Sequence, residues 1–154
     1  MILKFRKFEI AFSGDIAKAF LMIGISEKDR DYLKFLWFGD NEQGYKTLRF
    51  KRLPFGLCCS PAILDMTIKY HIKKYKSVNP ECFEMLNSSL YVDDLYYGSD
   101  TIEGACRLST DAVNIFKDAG MDLRKLRSNS EKLNSLWIEK GHKVGLTRES
   151  KFWA

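Results

Sequence analysis

A chain of 154 residues that is 45% hydrophobic can bury a core of its own, and its length fits one domain. Twenty-five Lys and Arg against 20 Asp and Glu leave a net charge of +5, an excess that suits an anionic partner without requiring one. Four cysteines without C-x-x-C spacing (Cys58, Cys59, Cys82, Cys106) and two distant histidines (His71, His142) argue against zinc and disulfide frameworks. No apolar run approaches the roughly 18 residues of a membrane span, and Met1-Ile2-Leu3 is too short for a signal-peptide core.

In chain order, Phe8, Ile10 and Phe12 alternate with Lys7, Glu9 and Ala11, the period of a half-buried strand, and Asp15 falls at its C-terminal end. Ile16 to Ile23 reads as a short apolar helix or turn, and Ser26 to Asp31 as a charged break. Leu33 to Phe38 and Tyr45 to Lys51 are strand-like, and the Gly39 to Gly44 segment between them suits a hairpin loop. Ser60-Pro61 predicts a helix N-cap followed by proline at the first helical position. The helix carries Leu64, Ile68, Ile72 and Tyr75 on one face and runs to about Lys76.

Ser77 to Asn87 reads as a loop leading to Leu90-Tyr91-Val92-Asp93-Asp94-Leu95-Tyr96-Tyr97-Gly98. There, strand-formers flank two adjacent aspartates and predict a tight hairpin with the carboxylates at its tip. Asp100 and Glu103 resemble a capping box ahead of Ala105, Leu108, Ala112, Ile115 and Ala119 at helical spacing, closed by Gly120. A strand from Met121 leads to Arg124-Lys125, and Ser128-x-x-Glu131 opens a last short helix with Leu133, Leu136 and Trp137. Residues 141–154 form a tail without an assignment. The order predicts an α+β domain, an antiparallel sheet with helices packed mainly on one face.

Two unit charges about 4 Å apart cost on the order of 1 kcal/mol in water and about 4 at an effective dielectric of 20, so paired aspartates call for a counter-charge. If the strands ending in Asp15 and Asp93 are neighbours, Asp15, Asp93 and Asp94 converge. Oxygen ligands with no His or Cys among them favour Mg²⁺, and a two-metal phosphoryl-transfer site is the sharp reading. Acidic residues at turns are common, and that plain reading stands beside it. The basic clusters Lys4-Arg6-Lys7, Lys69-Lys73-Lys74-Lys76 and Arg124-Lys125-Arg127 fit either phosphate contact or a solvated face.

Asp15-Ile16-Ala17-Lys18-Ala19-Phe20, Leu53-Pro54-Phe55-Gly56-Leu57-Cys58-Cys59-Ser60-Pro61 and Tyr91-Val92-Asp93-Asp94, in that order, resemble motifs A, B and C of the reverse-transcriptase palm. The surrounding text, with Phe5-Arg6-Lys7, Asp29-Arg30-Asp31, Phe35-Leu36-Trp37, Leu123-Arg124-Lys125 and Ser128-Asn129, is similar to the polymerase of BEL/Pao-type LTR retrotransposons. The resemblance runs from about Leu3 to about Trp137 and assigns residues 1–140 to the palm.

The resemblance implies an RNA-directed DNA polymerase acting on a primer paired to an RNA or DNA template, with deoxynucleoside triphosphates as substrates and no membrane partner. Asp15, Asp93, Asp94 and the Ile16 carbonyl would hold two Mg²⁺ ions, for which Mn²⁺ can substitute. Such a metal pair activates the primer 3′-hydroxyl and stabilises the leaving pyrophosphate. Lys18, Ala19, Phe20, Phe55 and Gly56 would bind the nucleotide. Phe20 matches the aromatic that collides with a ribose 2′-hydroxyl, and a core aromatic is its alternative. Phe55 stands where many relatives have Gln, so it can pack but cannot hydrogen-bond. Lys125 lies near the lysine that acts as general acid to pyrophosphate, and a surface lysine is its alternative.

Relatives carry a fingers region ahead of motif A and a thumb and RNase H domain after the palm. The chain is therefore expected to be a palm fragment of a retroelement polyprotein, impaired by truncation. Its unpaired cysteines fit a reducing compartment, so it is expected to be intracellular, cytoplasmic or in retroelement particles. The opposing reading is a non-catalytic remnant that at most binds nucleic acid. A metal-dependent phosphatase or nuclease would fit the carboxylates but not the motif order.

Overall fold

The computed structural model describes residues 7–39 and 44–145. Lys4 and Arg6 of the first basic cluster, residues 40–43 of the hairpin loop and residues 146–154 of the tail lie outside them. In chain order the elements are strand β1 (Ile10–Ile16), helix α1 (Ala19–Met22), strands β2 (Lys34–Phe38) and β3 (Tyr45–Arg49), and helix α2 (Ser60–Ile72). Helix α3 (Pro80–Ser89), strands β4 (Leu90–Tyr91) and β5 (Asp94–Ser99), helix α4 (Ile102–Asp118), strand β6 (Leu123–Ser128) and helix α5 (Glu131–Glu139) follow. No helix among the described residues is long and apolar enough to cross a membrane. The described residues form two compact units, one of residues 7–17 and 65–145, the other within residues 18–64.

The first unit is built on a four-stranded antiparallel sheet in the order β4-β5-β1-β6. Side chains alternate across a sheet, and the register places Phe12, Gly14, Ile16, Leu95, Leu123 and Leu126 on one face and Asp15, Ser13, Asp94 and Tyr96 on the other. The first set is buried and covered by α3, α4 and α5, and the Trp137 ring meets Phe12 edge-on at 6.2 Å. This is the α+β arrangement, sheet beneath helices, that the periodicity predicts. Gly98 is required by close approach, because a Cβ there would sit 2.6 Å from Phe8 Cβ and 2.7 Å from the Ile10 carbonyl oxygen. Asn129 ties the start of β1 to the end of β6: its Oδ1 accepts from the Ala11 amide at 2.9 Å and its Nδ2 donates to the Glu9 carbonyl at 2.9 Å.

Several local expectations are corrected. Residues 77–87 are not a loop: Asn79 caps α3, its side chain accepting from the Cys82 amide at 3.2 Å, and Pro80 takes the first helical position. Cys82, Phe83, Met85, Leu86 and Ser89 are the buried face that holds this helix. The cap of α4 is Thr101 rather than Asp100, accepting from the Gly104 amide, and the cap of α5 is Ser130 rather than Ser128. Ser128 is instead buried in β6, where its hydroxyl donates to the Ala11 carbonyl at 2.8 Å. Ser60 does not cap α2. Its hydroxyl donates to the Pro54 carbonyl at 2.8 Å, and the Cys59 carbonyl accepts the first helical bond from Ile63. The regular helix ends at Ile72 and tightens into a 3₁₀ turn over Lys73–Tyr75, and the charged stretch Glu27–Tyr32 is also 3₁₀ rather than a break.

The second unit holds the β2–β3 hairpin, in which Phe35 pairs with Leu48 and Trp37 with Lys46. Backbone bonds from Leu53 to Ile23 and from Ile25 to Lys51 tie the end of α1 to the stretch that follows β3.

Candidate active site

Three features converge on the face of the four-stranded sheet that α3, α4 and α5 do not cover. Asp15, next to last in β1, is the direct Cα partner of Asp94, the first residue of β5. Asp93 occupies the two-residue turn between β4 and β5, and its carbonyl accepts from the Ile16 amide at 2.8 Å, so the turn is pinned to the end of β1. Val92, the first turn residue, adopts φ 59°, a left-handed conformation that β-branched residues rarely take and that a two-residue hairpin requires. Strain of this kind is tolerated where the flanking pairs over-determine the backbone, and it sets Asp93 and Asp94 side by side at the tip.

The electrostatics follow from that crowding. Burial, then the charge of Asp93, then that of Asp15 raise the Asp94 carboxyl above the ordinary carboxylate range, while the Tyr96 hydroxyl, donating to Asp94 Oδ2 at 3.3 Å, and Lys125 oppose them. Tyr96 is itself raised, by burial and then by Asp94. On the other side of β1, Arg124 is the Cα partner of Asp15 in β6, beside a register shift between Ser13 and Asp15. Arg124 Nε and Lys125 Nζ each lie 3.5 Å from Asp15 Oδ2. Lys125 has a left-handed backbone, φ 52°. Tyr96 and Arg124 were not singled out as site residues from the sequence. The alternation of Leu95, Tyr96 and Tyr97 places Tyr96 on the Asp94 face, whereas the pairing of Arg124 with Asp15 depends on strand order and a bulge.

Among the described residues no three His, Cys, Asp or Glu side chains form a ready-made metal cage. The donor chemistry nevertheless fits a hard divalent cation: the carboxylates of Asp15, Asp93 and Asp94 are all oxygen donors, and the charges of Asp93 and Asp15 act on Asp94. Mg²⁺ is commonly held by one or two carboxylates, with waters and substrate phosphates completing its shell, so a complete protein cage is not required.

The remaining sequence-predicted residues lie in the second unit. Lys18 is exposed, with φ 51°, and begins α1. Ala19 and Phe20 are buried, and the Phe20 ring meets that of Phe55 edge-on, 4.7 Å between centroids. Phe55 is 65% exposed on its own account. Gly56 has φ 90°, which a side chain would strain, with nothing within 4 Å of where a Cβ would sit.

Residues 3–141 match the family described as Reverse transcriptase (RNA-dependent DNA polymerase). The chain is also similar to the Gag-Pol polyprotein of Rous sarcoma virus subgroup B (strain Schmidt-Ruppin), 26% identical over 110 residues, or 71% of this chain and 7% of the polyprotein. The chain thus spans a small part of the curated relative's length. With nearly all of its described residues inside the matched range, and an antiparallel sheet whose strand ends bring Asp15 opposite Asp94, the chain belongs to the reverse transcriptase (RNA-dependent DNA polymerase) family.

Proposed function

We propose that this chain is the catalytic palm of an RNA-directed DNA polymerase that adds deoxynucleotides to a primer 3′-hydroxyl. The observation that carries the reading is the register that sets Asp15 against Asp94, with Asp93 in the adjoining turn. Asp15, Asp93 and Asp94, with the Ile16 carbonyl, would hold Mg²⁺, or Mn²⁺ in its place. When bound, the metal supplies Lewis-acid polarisation of phosphoryl oxygens and lowers the pKa of the attacking hydroxyl.

The chain's own residues do the rest. Lys125, whose Nζ lies beside Asp15, is assigned as general acid to the departing pyrophosphate. Phe20 is assigned to sugar selection, supported by its place five residues after Asp15 in a family-matched stretch, and Lys18 and Ala19 to the same nucleotide. Gly56, whose missing side chain leaves open space, and Phe55, which offers a ring face but no hydrogen bond, are assigned to the base and template. The flanking residues Phe35-Leu36-Trp37 and Leu123-Arg124-Lys125 support a BEL/Pao-type retrotransposon origin, and the match to a stretch of a viral polyprotein supports a polyprotein context.

Primer extension on an RNA template tests this reading, using the chain expressed together with the reading frame that flanks it. Mg²⁺-dependent addition of deoxynucleotides is expected, and Asp93→Asn should abolish it. Retention of full activity by that variant would refute the site.

A further inference from the structure

We propose that Arg124 is the resident counter-ion of the carboxylate site, a positioning residue that holds Asp15 while no metal is bound and opposes metal entry there. The proposal rests on the reading of Asp15, Asp93 and Asp94 as metal holders. Three observations carry it. Arg124 is the direct partner of Asp15 on the strand opposite Asp94, so Asp15 stands between a carboxylate on β5 and a guanidinium on β6. Arg124 Nε lies 3.5 Å from Asp15 Oδ2 and is buried with no hydrogen-bond partner among the described residues. Its backbone is held on both sides. The Ala17 amide donates to the Asp122 carbonyl at 2.9 Å, Leu123 and Leu126 are in the core, and Leu126 pairs with Lys143 and Gly145 along its outer edge.

A buried Nε–H without an acceptor is a standing cost, and the nearby carboxylate charge is what offsets it. Arg cannot shed its proton, so this cation persists at every working pH. Lys125 also reaches Asp15, but its side chain is 54% exposed against 36% for Arg124, so water and salt screen it more. A divalent ion bound through Asp15 must therefore compete with Arg124 for that oxygen, or share it at the cost of cation–cation repulsion. Removing the guanidinium should tighten metal binding, whereas a purely structural arginine would, on removal, leave Asp15 misplaced and weaken it.

The test uses the 154-residue chain without nucleotide or nucleic acid, with Mn²⁺ as the probe and free Mn²⁺ counted by electron paramagnetic resonance. Arg124→Gln should bind Mn²⁺ at least about fivefold more tightly, the factor that one ion-pair interaction at the dielectric of water corresponds to. Arg124→Lys should behave as wild type. In EDTA, Arg124→Gln should melt below wild type, and saturating Mn²⁺ should close that gap. Arg124→Met, which keeps the aliphatic stem, carries the same expectations should Gln prevent folding. Unchanged or weaker Mn²⁺ binding by the charge-free variants overturns the counter-ion role and leaves the polymerase reading intact. Failure of wild type to bind Mn²⁺, or binding that Asp93→Asn does not weaken, overturns the metal-site reading and this proposal with it.

Discussion

Asp15 and Asp94 face each other across the β1–β5 ladder, and burial together with the neighbouring Asp93 charge raises the Asp94 carboxyl above its ordinary range. A carboxyl raised on folding binds more protons in the folded than in the unfolded state over the pH span between the two pKa values. Stability therefore falls as pH climbs through that span and stays lowered at neutral pH. Asp94→Asn, which keeps an acceptor for the Tyr96 hydroxyl, should melt a few degrees above wild type at pH 7 in EDTA. That gain should vanish below the ordinary Asp range, near pH 3.5. Thermal melts of both proteins across pH check this. An advantage equal at all pH values would show that charge crowding is not its source.

Phe20 and Phe55 form an edge-to-face pair in which the first ring is buried and the second is open to solvent. Phe20→Ala should cost about 3 kcal/mol, the low end for an aromatic truncated in a core, because the ring packs against one exposed partner as well as the interior. Urea unfolding measures it. A loss under about 0.5 kcal/mol would mean that the ring carries no packing and serves only what it binds.

Trp137 reaches Ser109 deep between α5 and α4. The indole Nε1 donates to Ser109 Oγ at 2.8 Å, and that hydroxyl donates onward to the Ala105 carbonyl at 2.7 Å. Ser109→Ala removes the acceptor and strands a buried N–H, so a loss of roughly 1–3 kcal/mol is expected. Trp137→Phe, which removes donor and need together, should restore part of it in the Ser109→Ala background. An additive double variant would show that the two side chains do not interact.

The cysteines divide by accessibility. Cys58 and Cys59 are exposed, whereas Cys82 and Cys106 are buried, and burial pushes the Cys82 thiol up to about 12. A charged alkylating reagent at pH 8 should modify Cys58 and Cys59 in the native protein and reach Cys82 only on unfolding, because the thiolate is the nucleophile. Peptide mapping by mass spectrometry reads this directly, and rapid native labelling of Cys82 would contradict the burial of α3.

The strands were legible because their alternation and turn residues act locally. The hairpin read as Leu33 to Phe38 and Tyr45 to Lys51 occurs as Lys34–Phe38 and Tyr45–Arg49, and the hairpin read around the two aspartates occurs with Val92-Asp93 as its turn and Asp94 as the first residue of β5. Helix α3 was missed because its outward-facing polar residues, such as Glu81, Glu84 and Asn87, break up an apolar stripe of Cys82, Phe83, Met85 and Leu86. Asn79-Pro80 was the available start signal. The caps at Thr101 and Ser130 show a different limit: several hydroxyl and carboxylate residues compete locally for one amide, and backbone geometry selects among them. At the site, the opposition of Asp15 and Asp94 follows from two strand ends meeting. The approach of Arg124 is set by a bulge and a four-strand order that no local pattern encodes.

Among the described residues, the strand that carries Asp15 pairs with segments made much later: with β5, whose residues begin at 94, and with β6, whose last residue is 128, followed by the Asn129 clamp on Ala11. During synthesis the first carboxylate of the site leaves the ribosome long before the chain that will position it. Until then an apolar strand bearing Phe12 and Ile16 has both edges unpaired, the condition under which strands find wrong partners. The site is thus completed by strands made well after the one that carries its first carboxylate. Loop-closure entropy over that span makes the pairing of β1 a natural slow step, and the yield of folded protein depends on keeping that waiting strand soluble.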